Sequence, residues 1–143
     1  LQAAGAEHIV VWDVPNIGIT PAVNAEGSFA SLLGNLVSKT MSSLLGARMN
    51  GEAGVTLFDF YALSTAWAAD PGAYGFTNAT DACGGVNGCD PSTYFFWDGI
   101  HPTSAGHALI AEAMVAAVVP EPETYALMLV GVALVAWRVR RRA

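Results

Sequence analysis

Two short apolar runs and the stripe between them restrict this fold most. The runs are Ile9-Val10-Val11-Trp12 and Val55-Thr56-Leu57-Phe58-Asp59-Phe60. Brief, continuous and rich in β-branched residues, such runs read as strands buried on both faces, as in a parallel sheet covered by helices. From Asn24 to Met49, the residues Phe29, Leu32, Leu33, Leu36, Val37, Met41, Leu44 and Leu45 fall at steps of three and four. That spacing puts them on one helical face, and Asn50-Gly51 supplies the stop. Strand, helix and strand in this order predict a right-handed βαβ crossover with parallel pairing. The stripe is expected to face the core, and the class is α/β.

Loops at the carboxyl ends of parallel strands are where such folds build their sites, so Asp13 and Asn16 are pocket candidates. Turning or capping the chain is the commoner job for both. The same holds for Asp59, ahead of a helical stretch from about Ala62 to Trp67. Asp70 to Pro91 reads as one long loop with five glycines and two cysteines. Loops of that length inside compact domains are usually functional or stapled. Cys83 and Cys89 enclose Gly84-Gly85-Val86-Asn87-Gly88. An even pair in an exported protein most simply forms a disulfide, and a zinc site lacks a second ligand pair. Closing so short a loop restrains the unfolded chain by about 2 kcal/mol. Asn78-Ala79-Thr80 matches a glycosylation sequon, a pattern short enough to arise by chance.

The chemistry concentrates in Phe96-Trp97-Asp98-Gly99-Ile100-His101-Pro102-Thr103. Asp98 can accept from one imidazole nitrogen of His101, which fixes the tautomer and leaves the other nitrogen free as a base. Gly99 permits a tight turn, Pro102 restrains the backbone after the histidine, and Thr103 or Ser104 can cap the next helix. In that helix Ala105, Leu109, Ile110, Ala113, Met114 and Ala117 repeat at helical spacing, and His107 is a polar helix residue. Taken alone, Asp-x-x-His more often describes a capping aspartate beside a solvent-facing histidine.

The flanks decide between these readings. Phe96 to Thr103, followed by Ser-Ala-Gly-His-Ala-Leu-Ile-Ala-Glu, resembles the last sequence block of the GDSL/SGNH esterases and lipases. The likeness continues through Asp70-Pro71-Gly72-Ala73-Tyr74-Gly75-Phe76-Thr77-Asn78, Trp12-Asp13-Val14-Pro15 and Thr20-Pro21-Ala22, covering most of residues 8 to 118. It implies a flavodoxin-like SGNH fold, a three-layer α/β/α sandwich, with its final two strands and three helices in this chain. It also implies a Ser–His–Asp triad acting on an ester or lipid substrate, with Asp98 as orienting carboxylate and His101 as general base. No metal or organic cofactor is implied. The family's Gly-Asp-Ser and Gly-x-Asn-Asp blocks are not in this sequence, which opens on Leu1 rather than Met. Residues 1–119 are therefore expected to be the carboxy-terminal part of a hydrolase domain, with the serine and the oxyanion donors upstream. On this expectation the chain alone is inactive. Two other classes fit the same residues: an inactive, surface-displayed binding or matrix protein on the hydrolase scaffold, and a truncated remnant.

Charge separates the body from the tail. Residues 1–119 hold Lys39 and Arg48 against ten acids, too few cations to neutralise phosphates, which excludes nucleic acid as a partner. Pro120-Glu121-Pro122-Glu123 precedes an uncharged run from Tyr125 to Trp137, and Arg138, Arg140, Arg141 and Arg142 close the chain. The run is shorter than the roughly 20 residues needed to cross a bilayer; flanking residues and snorkelling arginines extend it to 124–139, predicting a single membrane helix with its basic end cytoplasmic. Residues 120–143 resemble a PEP-CTERM sorting signal, with a bland single-pass anchor as the alternative. The resemblance implies export into a Gram-negative envelope, membrane anchoring before processing by an exosortase, and a final place at the cell surface or outside it.

Overall fold

A computed structural model describes residues 1–119 and 122–141. The first expectation met is the crossover. Ile9–Trp12 forms β1 and Val55–Phe58 forms β2, paired in parallel with Ile9 beside Val55 and Trp12 beside Phe58. Between them lie α1 (Pro21–Ala25) and α2 (Ser28–Met49). The single helix predicted from Asn24 is thus divided. Gly27, at φ 96°, takes a left-handed conformation that glycine adopts without strain, and α2 starts afresh after it.

The second run ends earlier than predicted. Asp59 leaves the strand, and its carboxylate accepts from the amide of Ala62 at 2.8 Å, capping α3 (Phe60–Ala69). The helix therefore begins at Phe60 rather than Ala62, because the cap sits one residue before it. The long loop also holds regular structure. Asn78–Ala82 forms β3 and Tyr94–Phe96 forms β4, parallel and with irregular register between Asn78 and Ala82. The side chain of Asn78 accepts from the amides of Thr80 and Asp81 and so shapes the strand's start. After β4 the chain turns into α4 (Ser104–Val118), and α5 (Pro122–Arg140) follows.

Three expectations are corrected here. The sheet is not the middle layer of an α/β/α sandwich; the strands form two separate two-stranded sheets, β1–β2 and β3–β4, in a mixed α/β arrangement. The strands are three to five residues long, too short to present a broad face to two helical layers.

The α2 stripe does not face the core. Phe29 is 77% exposed, and Leu32, Leu36 and Leu44 lie between 58% and 67%. The helix packs instead through small and polar residues, with Gly34 and Ser38 buried. Gly34 lies against Gly18: a Cβ there would sit 3.1 Å from the Gly18 backbone. Ser38 accepts from the amide of Ile17 at 3.1 Å. Backbone approach and a hydroxyl hydrogen bond fix which side turns inward, and the leucines take the other.

The membrane helix predicted over 124–139 is not supported. Among the described residues no helix is long and apolar enough to cross a membrane. Thirteen uncharged residues, Tyr125 to Trp137, measure about 20 Å along a helix against about 30 Å of hydrocarbon. The Arg141 guanidinium instead lies 4.1 Å from the Trp137 ring. Pro120, Glu121 and Arg142, which belong to the predicted tail motif, lie outside the described residues.

The core sits where β2, α3, the second sheet and α4 meet. Phe58, Trp67, Phe76, Ala79, Phe95, Phe96 and Ile110 are buried together. Phe95 is its hub, with ring centroids 5.7 Å from Trp67, 5.5 Å from Phe76 and 4.9 Å from Phe96. Tilted and edge-on contacts of this kind stabilise beyond the area they bury. Because β4 runs directly into Trp97, this aromatic cluster anchors the Asp98 turn.

Candidate active site

The turn after β4 is closed by its own backbone. The amide of Trp97 donates to the carbonyl of His101 at 2.8 Å. Inside this loop one carboxylate oxygen of Asp98 accepts from the amides of Ile100 (2.8 Å) and His101 (2.7 Å). The other, Oδ2, lies 2.8 Å from Nδ1 of His101. The amides of His101 and Ile100, and then the imidazole, hold the Asp98 carboxyl well below the usual carboxylate range, at about 2. An ionised carboxylate only accepts, so the Nδ1 proton points at Asp98 and Nε2 is left with its lone pair outward. The His101 side chain is 74% exposed, open to a reacting group.

Neighbouring elements hold the turn from three sides. Ala22, at the start of α1, donates its amide to the carbonyl of Gly99 at 3.0 Å. A Cβ at Gly99 would stand 3.1 Å from that of Ala22, so the close approach depends on glycine. Gly84 donates to the carbonyl of Trp97 at 2.7 Å, from a segment in which Cys83 and Cys89 form a disulfide with Cα atoms 5.6 Å apart. Thr103 donates through its hydroxyl to Tyr94 at 2.7 Å and accepts from the amide of Gly106 at 3.1 Å, capping α4. His107 is an exposed residue of that helix.

Beside His101 lies a largely apolar cavity of about 220 Å³. Ile17, Ile19, Phe60, Phe95, Phe96, Ile100 and Pro102 line it, with Asn16, Thr20 and Ser64 supplying polar atoms. Phe96, Ile100 and Pro102 belong to the block around His101 and Phe60 to the second apolar run, but nothing in the periodicity marks Ile17, Ile19 or Phe95 as lining, because the residues come from separate segments. Asn16 lines the cavity while its side chain accepts from Gly18 and donates to Thr65 at 3.1 Å. Asp13 is elsewhere: its buried carboxylate accepts from the amide of Tyr61 at 3.0 Å and from the hydroxyl of Ser42, tying β1 to α2 and α3.

Serine is the test of completeness. Among the described residues, Ser64 shares the cavity with His101, but its hydroxyl accepts from the amide of Asn16 and donates to the carbonyl of Tyr61. It is 3% exposed and lies within α3, where no sharp turn presents it. The hydroxyls of Ser31, Ser42 and Ser92 donate to Asn24, Asp13 and Asp90 respectively.

Fold and site together define an α/β protein that displays a carboxylate-oriented imidazole on a turn beside an apolar cavity. The chain belongs to the GDSL-like lipase/acylhydrolase family, whose model matches residues 1–114. Residues 118–142 match the PEP-CTERM protein-sorting motif, which marks the chain for export through a Gram-negative envelope. Among curated relatives, the esterase EstA of Pseudomonas aeruginosa is 33% identical, over 75% of this chain and 19% of its own length. The GDSL esterase/lipase APG of Arabidopsis thaliana is 26% identical, over 80% of this chain and 40% of its own. The thermolabile hemolysin of Vibrio parahaemolyticus is 33% identical, over 42% of this chain and 19% of its own. The chain thus spans 19% to 40% of the length of these relatives.

Proposed function

We propose that the protein is an exported ester hydrolase in which Asp98 and His101 are the acid and base of a Ser–His–Asp triad. The serine comes from a part of the protein outside these 143 residues. The observation that carries this reading is the Asp98 carboxylate, gripped by two amides and aimed at Nδ1 of His101. In hydrolysis, Nε2 takes the proton of the serine hydroxyl as its oxygen attacks the ester carbonyl. The imidazolium, stabilised by Asp98, then gives that proton to the departing alcohol. A water molecule, activated by the same nitrogen, cleaves the acyl-enzyme and releases the acid.

The apolar cavity next to His101 suits the acyl part of the ester, since it offers mostly carbon and little hydrogen bonding. The tail match supports delivery to the cell surface by sorting machinery of the exosortase type. In the full-length protein, His101→Ala and Asp98→Asn should each lower kcat on a short nitrophenyl ester by roughly 10⁴-fold without loss of fold. Near-normal turnover by either variant refutes the triad.

A further inference from the structure

The Cys83–Cys89 loop lies outside the acid–base pair, yet it makes a specific contact with the turn that carries it. The carbonyl of Trp97 belongs to the peptide group that continues into Asp98, and it accepts from the amide of Gly84 at 2.7 Å. The contact is close enough to demand glycine: a Cβ at position 84 would stand 2.9 Å from that carbonyl oxygen and 3.2 Å from the Trp97 ring. Gly85, one residue on, has nothing within 4 Å of where its Cβ would lie.

Gly84 itself is held by what precedes and follows it. Cys83 is buried, its carbonyl accepts from the amide of Val86 at 2.9 Å, and the carbonyl of Val86 accepts from Cys89 at 3.2 Å. The disulfide closes these two successive turns into a ring. With three glycines at 84, 85 and 88, an open loop would sample many conformations in which the Gly84 amide points elsewhere.

We infer that the disulfide-closed loop is a positioning element for catalysis: through the Gly84 amide it fixes the Trp97–Asp98 peptide plane and so aims the Asp98 carboxylate at His101. The inference rests on the triad reading above. Rotating that peptide swings the Asp98 side chain about its own backbone. Oδ2 then leaves the line to Nδ1, while the cavity walls from Asn16, Ile17, Ile19, Thr20, Phe60 and Ser64 lie on other segments. A misplacement of about 1 Å in such a group costs on the order of 10²-fold in rate. Gly84 and the disulfide touch no substrate; they act through Asp98.

The test uses the full-length protein and a short nitrophenyl ester. Gly84→Ala should lower kcat by roughly 10- to 100-fold with KM unchanged, and Gly85→Ala should stay within about twofold of wild type. Reduction of the disulfide, or the Cys83→Ala/Cys89→Ala pair, should reproduce the Gly84→Ala loss without altering the protein's own glycine. The decisive comparison repeats these changes in an Asp98→Asn background, where the carboxylate no longer serves His101. There each should cost less than about threefold, because two changes acting through one group do not add. Equal losses in both backgrounds, or a Gly84→Ala protein as active as Gly85→Ala, overturn the proposal. If Gly84→Ala does not fold, the same comparison is made with the reduced protein. His101→Ala in the same assay judges the triad separately. Full activity there refutes the triad, whereas an inactive His101→Ala beside an indifferent Gly84→Ala refutes the clamp alone.

Discussion

Thr103 offers the most direct check on how the turn is built. Its hydroxyl joins two elements, donating to the carbonyl of Tyr94 in β4 and accepting from the amide of Gly106 in α4. The residue is 2% exposed, so water cannot replace either partner. Thr103→Val keeps the outline of the side chain and deletes the hydroxyl. Loss of a helix cap costs about 1 kcal/mol, and a buried acceptor left without a donor costs about 1–3 kcal/mol. Together the change should destabilise the protein by roughly 2–4 kcal/mol. Thr103→Ser keeps both hydrogen bonds and loses one methyl, about 1 kcal/mol of burial. Urea unfolding of the full-length proteins should therefore rank wild type above Ser and Ser clearly above Val. A valine variant as stable as wild type, or a serine variant as damaged as valine, would show that the hydroxyl is not what joins β4 to α4.

Two further outcomes follow from the charges. The Asp98 carboxyl is lowered to about 2 in the folded protein, so its contribution to stability is present in full above its unfolded value near 3.8 and is lost as pH falls through about 2. An acid limb of kcat/KM above pH 4 accordingly does not report Asp98; a carboxyl titration of Asp98 with its midpoint near 4 contradicts this. In cells that carry the sorting machinery, the mature protein should end within Pro120–Glu123, as intact mass would show, and neutral replacements of Arg138, Arg140, Arg141 and Arg142 should impair processing. Recovery of a chain that still ends at Ala143 counts against cleavage.

Much of the site was legible because its chemistry is local. Asp98 and His101 are three residues apart, and a carboxylate that accepts from the amides two and three positions on is a turn any chain with Asp-Gly-Ile-His can form. The caps at Asp59 and Thr103 were legible for the same reason. What could not be read joins distant positions. Gly84 meets Trp97 and Ala22 meets Gly99 through backbone atoms, which carry no residue-type signal. The strand β3 is Asn-Ala-Thr-Asp-Ala, without apolar alternation, and is held by register with the aromatic β4 rather than by propensity.

The apolar stripe of α2 separates what periodicity tells from what it does not. Spacing correctly reports that Phe29, Leu32, Leu33 and Leu36 share a side of a helix, but carries no information on which side is covered. In this chain the side that meets the Ile17–Ile19 turn, α1 and α3 is the one with Gly34 and Ser38, and the leucines face outward. Contiguous apolar surface on that scale marks a face built to be covered. In the first sheet, β1 and β2 also each leave one edge without a strand neighbour among the described residues. Both features predict the behaviour of residues 1–119 expressed alone. The stripe and the open edges should drive self-association, seen as light scattering and dye binding to exposed apolar surface, with no ester hydrolysis because no serine serves His101. Taking away α5 should not cure it, since the exposed surfaces lie on α2 and the strands. A monomer that unfolds cooperatively and hydrolyses esters would refute both the reading of the stripe and the placement of the nucleophile.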